Sequence, residues 1–284
     1  MRLYNDYLKE RYGCKVYRIA LDAGFSCPNM KSGGCIYCNS KGSRASYADP
    51  ALTIQKQLET RIEYLKDKKS AKKFIAYFQA HTNTYASIDK LKATYDQVAG
   101  FDDIVGLSIG TRPDAIDREK LKLIASYKDR YEIWMEYGLQ SAHDRTLKLI
   151  NRGHVFSDFV NASKLTKEFS IPICAHVILG LPGETKEDMM ATARGLAELN
   201  VEGIKIHLLH ILKGSKLEEL YRRGEVRLLE QDEYVELVRE FLGNLSPDII
   251  VYRLTGQGSE SDHVAPLWAL DKTSTINKIT KAIS

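Results

Sequence analysis

Short, mostly apolar runs rich in β-branched and aromatic residues recur along this chain, and longer stretches lie between them. That alternation constrains the fold more than any other feature, because repeated strand–helix units build a parallel sheet. The runs are KVYRIALD from Lys15, KFIAYFQA from Lys73, DIVGLSIG from Asp103, YEIWMEYG from Tyr131, IPICAHVILG from Ile171 and EGIKIHLLH from Glu202. Their near-continuous apolar character is that of strands covered on both faces. Between them, LTIQKQLETRIEYLKD from Leu52 and TKEDMMATARGLAELN from Thr185 have helical period, the second with Thr185 as N-cap and Asp188 three residues on. The expectation is an α/β fold of about six βα units. Two helices, near Lys216 to Arg223 and from Gln231 to Leu245, should follow, then a short strand, IIVYRLTG from Ile249, and a terminal helix. We expect residues 1–250 to form one core barrel and 251–284 a C-terminal extension closing one side of it.

Composition sets limits on function. At 284 residues, 44% hydrophobic and 27% charged, the chain has enough apolar material for one large domain and is neither disordered nor fibrous in character. The net charge of +4 is mild and spread out; it permits a polyanionic substrate without requiring one. The densest basic run, Lys66, Lys68, Lys69, Lys72 and Lys73, reads as a solvated helix end in preference to a phosphate-binding patch. The opening MRLYNDYLKERYG lacks the apolar centre of a signal peptide, and no apolar run is long enough to span a membrane, so a cytoplasmic location is expected.

In parallel α/β folds ligands gather at the carboxyl edge of the sheet. The polar and glycine-bearing segments fall there: FSCPNMKSGGCIYC after the first strand, HTNTYA after the second, TRPDAI after the third, LQSAHD after the fourth and LPGET after the fifth. Three of the five cysteines crowd into the first of these, which in a reducing compartment points to metal or redox chemistry. Seven residues separate Cys27 from Cys35 and two separate Cys35 from Cys38. Gly33 and Gly34 let the backbone wrap closely round a bulky group. Three thiolates can ligate three irons of a cubane cluster and leave the fourth iron open. The competing reading is zinc, but a structural zinc site wants four ligands, and the nearest histidine, His81, is on another loop. Cys14 and Cys174 stand alone and read as inert.

A strand, then a three-cysteine loop with an aromatic at Tyr37, opening six βα units, resembles the radical S-adenosylmethionine (SAM) superfamily. Its first spacing is longer than that superfamily's commonest CxxxCxxC. Over nearly the whole chain the sequence is similar to the YhcC/YtqA-type family, in the branch related to the elongator catalytic subunit. The matching stretches are LDAGFSCPN at Leu21, GGCIYC at Gly33, YFQAHTNTYA at Tyr77, GLSIGTRPDAI at Gly106, GLQSAHDRTLKLINRGH at Gly138, HVILGLPGET at His176 and RLTG at Arg253.

The resemblance implies a partial TIM barrel of the (β/α)6 type, with a [4Fe-4S] cluster on Cys27, Cys35 and Cys38 and S-adenosylmethionine on the open iron. Cleavage of that cofactor by a cluster electron yields a 5′-deoxyadenosyl radical that takes hydrogen from substrate. An external donor such as flavodoxin or ferredoxin is implied. Beside Tyr37, the family's cofactor contacts fall on Gln140, on Arg152 with its bidentate fork, on Thr82 and Asn83, and on the Ile178–Gly180 segment. Arg152 can also be read as a charge at a helix C-terminus, Gln140 as a strand-end cap and Gly183 as a simple strand-to-helix turn. Substrate-side candidates are Arg112, Asp114, Glu136, His207, His210, Lys213, Arg253 and Trp268.

Family likeness further implies tRNA as substrate, at wobble uridine 34, with 5-carboxymethylaminomethyluridine converted to 5-aminomethyluridine. Two rivals stay open: a radical enzyme acting on a small molecule such as a tetrapyrrole, and a non-catalytic iron–sulfur electron carrier.

Overall fold

The computed structural model describes residues 1–39, 42, 44–256 and 261–283. Ten strands are present among them: β1 (Arg2–Leu3), β2 (Val16–Leu21), β3 (Lys73–Phe78), β4 (Ile104–Thr111), β5 (Glu132–Gln140), β6 (Ile173–Leu179), β7 (Gly203–Leu208), β8 (Ile211–Leu212), β9 (Ile250–Arg253) and β10 (His263–Ala265). Eight form one sheet in the order β1-β9-β7-β6-β5-β4-β3-β2, and β8 pairs with β10 in a separate antiparallel ribbon. Every pairing in the large sheet is parallel, with crossover helices between successive strands from β2 to β7. The sheet is a curled half-barrel, the partial TIM barrel expected from the sequence. Its curl brings β2 near β9 across the interior, where the Arg18 guanidinium lies 5.3 Å from the centre of the Tyr252 ring.

The crossover helices form where the sequence placed them. Ile54–Lys69 is capped by Thr53, whose side chain accepts from the Lys56 amide, and Lys186–Glu198 begins with the Thr185–Asp188 capping box. Each such cap contributes about 1 kcal/mol. One face of each barrel strand packs against these helices: Ile19, Phe74, Leu107, Ile133, Val177 and Ile206 are all buried in the main core. The alternate residues point into the barrel, because successive side chains on a strand face opposite ways.

At the amino end of the barrel, the helix Tyr4–Tyr12 closes the interior. Its two buried residues, Tyr4 and Leu8, pack with Val16, Ile75, Trp134, Cys174 and Ile250. Tyr4 stacks on Tyr252 with centroids 3.7 Å apart, and Trp134 meets Tyr252 edge-on at 5.2 Å. After β7 the helices Lys216–Arg222 and Gln231–Gly243 follow as expected. The last helix, Lys272–Ile283, buries Ile279 and pairs Lys278 with Asp232. β9 belongs to the main sheet, between β7 and β1, so Arg253 at its end enters the barrel wall.

Candidate cluster and cofactor site

Cys27 precedes the short 3-10 turn Pro28–Ser32, and Gly33 and Gly34 follow with φ of 84° and 72°. Only glycine takes that pair of left-handed conformations without strain. The loop is pinned from a distance. Asn151 donates through Nδ2 to the carbonyls of Ser32 and Gly34, the latter at 2.6 Å, Asn29 donates to the Asn151 carbonyl at 2.6 Å, and the Ile36 amide donates to the Ile150 carbonyl at 3.1 Å. All three thiols line one cavity of about 420 Å³ at the carboxyl edge of the sheet.

The chemistry of the donor set fits an iron–sulfur cluster. A hydrogen bond with Cys38 and then the Arg152 charge draw the Cys35 thiol down to about 4, against the opposing effect of burial. Arg152 Nη1 donates to Cys35 Sγ at 3.6 Å and Asn29 Nδ2 does so at 3.4 Å. Thiolate, the ligating form, is therefore favoured at Cys35, while the same hydrogen bond pushes the Cys38 thiol up. The three sulfurs are not all within 4.8 Å of one another, a crowding that only Glu136, Cys174 and His176 show among the described residues. That trio is no cation site, since Arg18 and Lys205 already hold its carboxylate.

The remaining sequence-derived residues divide. Tyr37, Thr82, Gln140, Arg152 and Ile178 line the same cavity as the cysteines. The Tyr37 hydroxyl and Thr82 Oγ1 are buried without a partner among the described residues, a state that a bound polar molecule would relieve. Gln140 has φ of 77° and follows Gly138, where a Cβ would come within 2.6 Å of Arg152 and 2.8 Å of the Gln140 amide nitrogen. Arg152 is committed: Nη2 donates to the Gly138 carbonyl at 2.6 Å and Nε to His154 at 3.1 Å. Its fork braces Cys35 and β5 at the cavity wall.

Two of these residues lie elsewhere. Asn83 lines no part of this cavity; its Nδ2 is spent on the carbonyls of Phe78 and Gly110, at 3.0 and 2.8 Å, which fixes the turn after β3. Gly180 lies outside it too, on a separate groove, because a Cβ there would meet Leu229 at 2.8 Å and the glycine serves close packing. Among the substrate-side candidates, Arg112 is tied to Asp114 and to the Arg152 carbonyl, and Trp268 donates to the Leu229 carbonyl at 3.1 Å. Glu136, His207, His210 and Arg253 line the cavity, whereas Lys213 and Trp268 do not.

Below the thiols the sequence reading missed a polar layer. Arg18, Tyr77, His176 and Lys205 join Glu136 inside the barrel. Lys205 Nζ donates to the Tyr77 hydroxyl at 2.8 Å and to Glu136 at 3.1 Å; His176 lies 2.8 Å from the same carboxylate, and Arg18 bonds its other oxygen. Burial opposes it, but Arg18, Lys205 and His176 hold the Glu136 carboxyl well below its ordinary range. Burial pushes Lys205 down to about 7 although Glu136 pulls it up, and burial with the nearby Lys205 charge brings His176 to about 4. The missed signal was the two-residue register by which Arg18, Tyr77, Glu136, His176 and Lys205 occupy inward positions of five strands.

Comparison with known proteins agrees with this geometry. Residues 26–196 match the model of the radical SAM superfamily, and residues 201–284 that of the radical SAM C-terminal domain. YtqA of Bacillus subtilis is 40% identical over 286 residues, covering 98% of this chain and 88% of that one. A shorter stretch is 29% identical to a tRNA uridine(34) acetyltransferase of Methanocaldococcus infernus, covering 47% of this chain and 25% of that protein. The structure of the archaeal Methanocaldococcus infernus Elp3 with an N-terminal deletion superposes with a TM-score of 0.70 at 18% identity, over 94% of this chain and 63% of that one; it shares the fold. No described helix is long and apolar enough to cross a membrane. Members of the matched superfamily use a [4Fe-4S] cluster and S-adenosylmethionine. This chain belongs to the radical SAM superfamily, in the family that contains YtqA, and is a radical SAM enzyme.

Proposed function

We propose that the enzyme modifies wobble uridine 34 of tRNA, taking 5-carboxymethylaminomethyluridine to 5-aminomethyluridine. What carries the reading is the likeness to YtqA along the whole chain, together with the partial likeness to a protein named for tRNA uridine 34. The cavity supports it physically: it runs from the cysteine loop inward to the polar layer, a shape suited to one base inserted from a larger molecule. The modest net charge of +4 is compatible with salt-sensitive contact to tRNA phosphates.

In this reading Cys27, Cys35 and Cys38 hold three irons, and Tyr37, Thr82, Gln140 and Ile178 surround the cofactor. S-adenosylmethionine held there would supply hydrogen-atom abstraction chemistry at the glycine-derived CH₂ of the substrate. The protein's part is to position the two and to exclude water. Arg152 and Asn29 hold Cys35, residues 1–250 carry most of the cofactor site, and the barrel strand β9 brings Arg253 to the substrate side, with the rest of 251–284 as an extension. The electron comes from a donor such as flavodoxin or ferredoxin, in the cytoplasm.

Mass spectrometry of tRNA nucleosides tests this. A strain lacking the gene should accumulate 5-carboxymethylaminomethyluridine, and the purified, anaerobically reconstituted enzyme should convert it with release of 5′-deoxyadenosine. An unchanged nucleoside profile overturns the reading.

A further inference from the structure

The interior of the barrel holds more positive than negative charge. Among the described residues, Arg18, Lys205, Arg253 and Glu136 are the charged side chains of its middle layer, three cations against one carboxylate. Glu136 is fully engaged, with Arg18 on one oxygen and Lys205 and His176 on the other. Arg253 is different. It lies across from Lys205 in the β7–β9 register and lines the cavity as a part-buried side chain, and its guanidinium makes no hydrogen bond or ion pair with another described residue. An arginine cannot discharge itself by losing a proton at ordinary pH, so one that faces a cavity with no counterion among the described residues can take an anionic guest there.

The surroundings say what kind. His207 lines the cavity on the same side and is held neutral, by burial first and then by the Arg253 charge, so it can donate a hydrogen bond without adding charge. Gly256 leaves it room, since a Cβ there would fall 2.5 Å from His207 Nδ1. A guanidinium fork with no partner among the described residues, beside one neutral donor, matches a planar monoanion held by two parallel bonds. A phosphate dianion would call for a second free cation, and Lys205 and Arg18 are already taken by Glu136.

We infer that Arg253, assisted by His207, forms a substrate subsite for a compact carboxylate, so that the molecule entering the barrel carries such a group at its reacting end. This rests on the reading that the cavity receives the substrate. It does not depend on that substrate being tRNA. Arg253 would act by holding the anion, which places the neighbouring C–H bonds and makes the site discriminate against the uncharged analogue.

Isothermal titration of the cluster-loaded protein with sodium formate at fixed ionic strength tests the subsite directly. The wild type should bind formate at least tenfold more tightly than Arg253→Met, and S-adenosylmethionine affinity should be equal in the two. Arg253→Lys, which keeps the charge but loses the fork, should fold normally and bind formate with intermediate affinity. Equal formate affinity in wild type and Arg253→Met overturns the proposal. So does a loss of S-adenosylmethionine binding, which would make Arg253 a cofactor residue, or tighter binding of inorganic phosphate than of formate. A second arm uses anticodon stem-loops that differ only in carrying 5-carboxymethylaminomethyluridine or 5-aminomethyluridine. The wild type should prefer the first by at least tenfold and Arg253→Met should not. If neither stem-loop binds while the formate result holds, the tRNA reading fails and the carboxylate subsite stands.

Discussion

Two layers of the barrel interior lie one pleat apart and differ completely. On β5 Trp134 belongs to the lower layer and Glu136 to the upper; β2 offers Val16 and then Arg18, β3 Ile75 and then Tyr77, β6 Cys174 and then His176. The lower layer is apolar and sealed by Tyr4 and Leu8, whereas the upper one is charged and opens to the cavity beneath the cysteine loop. A closed end has no water to solvate a charge, so packing is the only source of stability there. An end that receives a ligand can keep polar groups, provided each has a partner or a guest. The comparison teaches that the barrel's amino end carries the stability and its carboxyl end carries the chemistry.

Four changes would break or sharpen that contrast. Largest in effect, Cys35→Ala at the open end should lower 5′-deoxyadenosine formation by about 1000-fold or more, because the cluster loses a ligand. The melting temperature of the metal-free protein should barely move, as calorimetry would show. At the sealed end Trp134→Ala should instead cost about 3–5 kcal/mol in urea unfolding, the usual penalty for emptying a large aromatic site. A cost below about 1 kcal/mol would mean that the lower layer is not a core.

Glu136→Gln removes the one carboxylate facing Arg18 and Lys205 and should destabilise by about 3 kcal/mol, since buried cations are left unpaired. Adding Lys205→Met should restore part of that loss, and a double-mutant cycle reads the coupling. Smallest is an acid effect. His176 has its folded pKa near 4 against an ordinary 6.5, so the folded state binds fewer protons between those values and stability falls as pH drops through that window. Between about pH 7 and 5.5 the loss should be about 1 kcal/mol, and His176→Gln should remove it from the pH dependence of urea midpoints.

Much of this was readable in one dimension. The barrel strands, the crossover helices at Ile54–Lys69 and Lys186–Glu198, and the three cysteines all follow from local patterns: strand composition, capping residues and thiol spacing. The helix Tyr4–Tyr12 was not, because it buries only Tyr4 and Leu8 and its other positions are mostly polar. Nor could Asn83 and Arg152 be placed. Each sits in a loop whose motif points toward the cofactor; in the structure Asn83 Nδ2 bonds to the carbonyls beneath it, and Arg152, which lines the cavity, reaches a sulfur 117 residues away in sequence.

By itself, then, the sequence determined the repeating βα architecture and the metal-binding loop, since strand periodicity, helix caps and a cysteine cluster are properties of neighbouring residues. Only the tertiary structure decided which side chains share the interior. Curling the sheet brings Arg18 from its second strand and Arg253 from its ninth into the environment of one carboxylate, Glu136, and that meeting leaves Arg253 without an ion-pair partner among the described residues. A charge balance of that kind exists only after the ends of the sheet have come together.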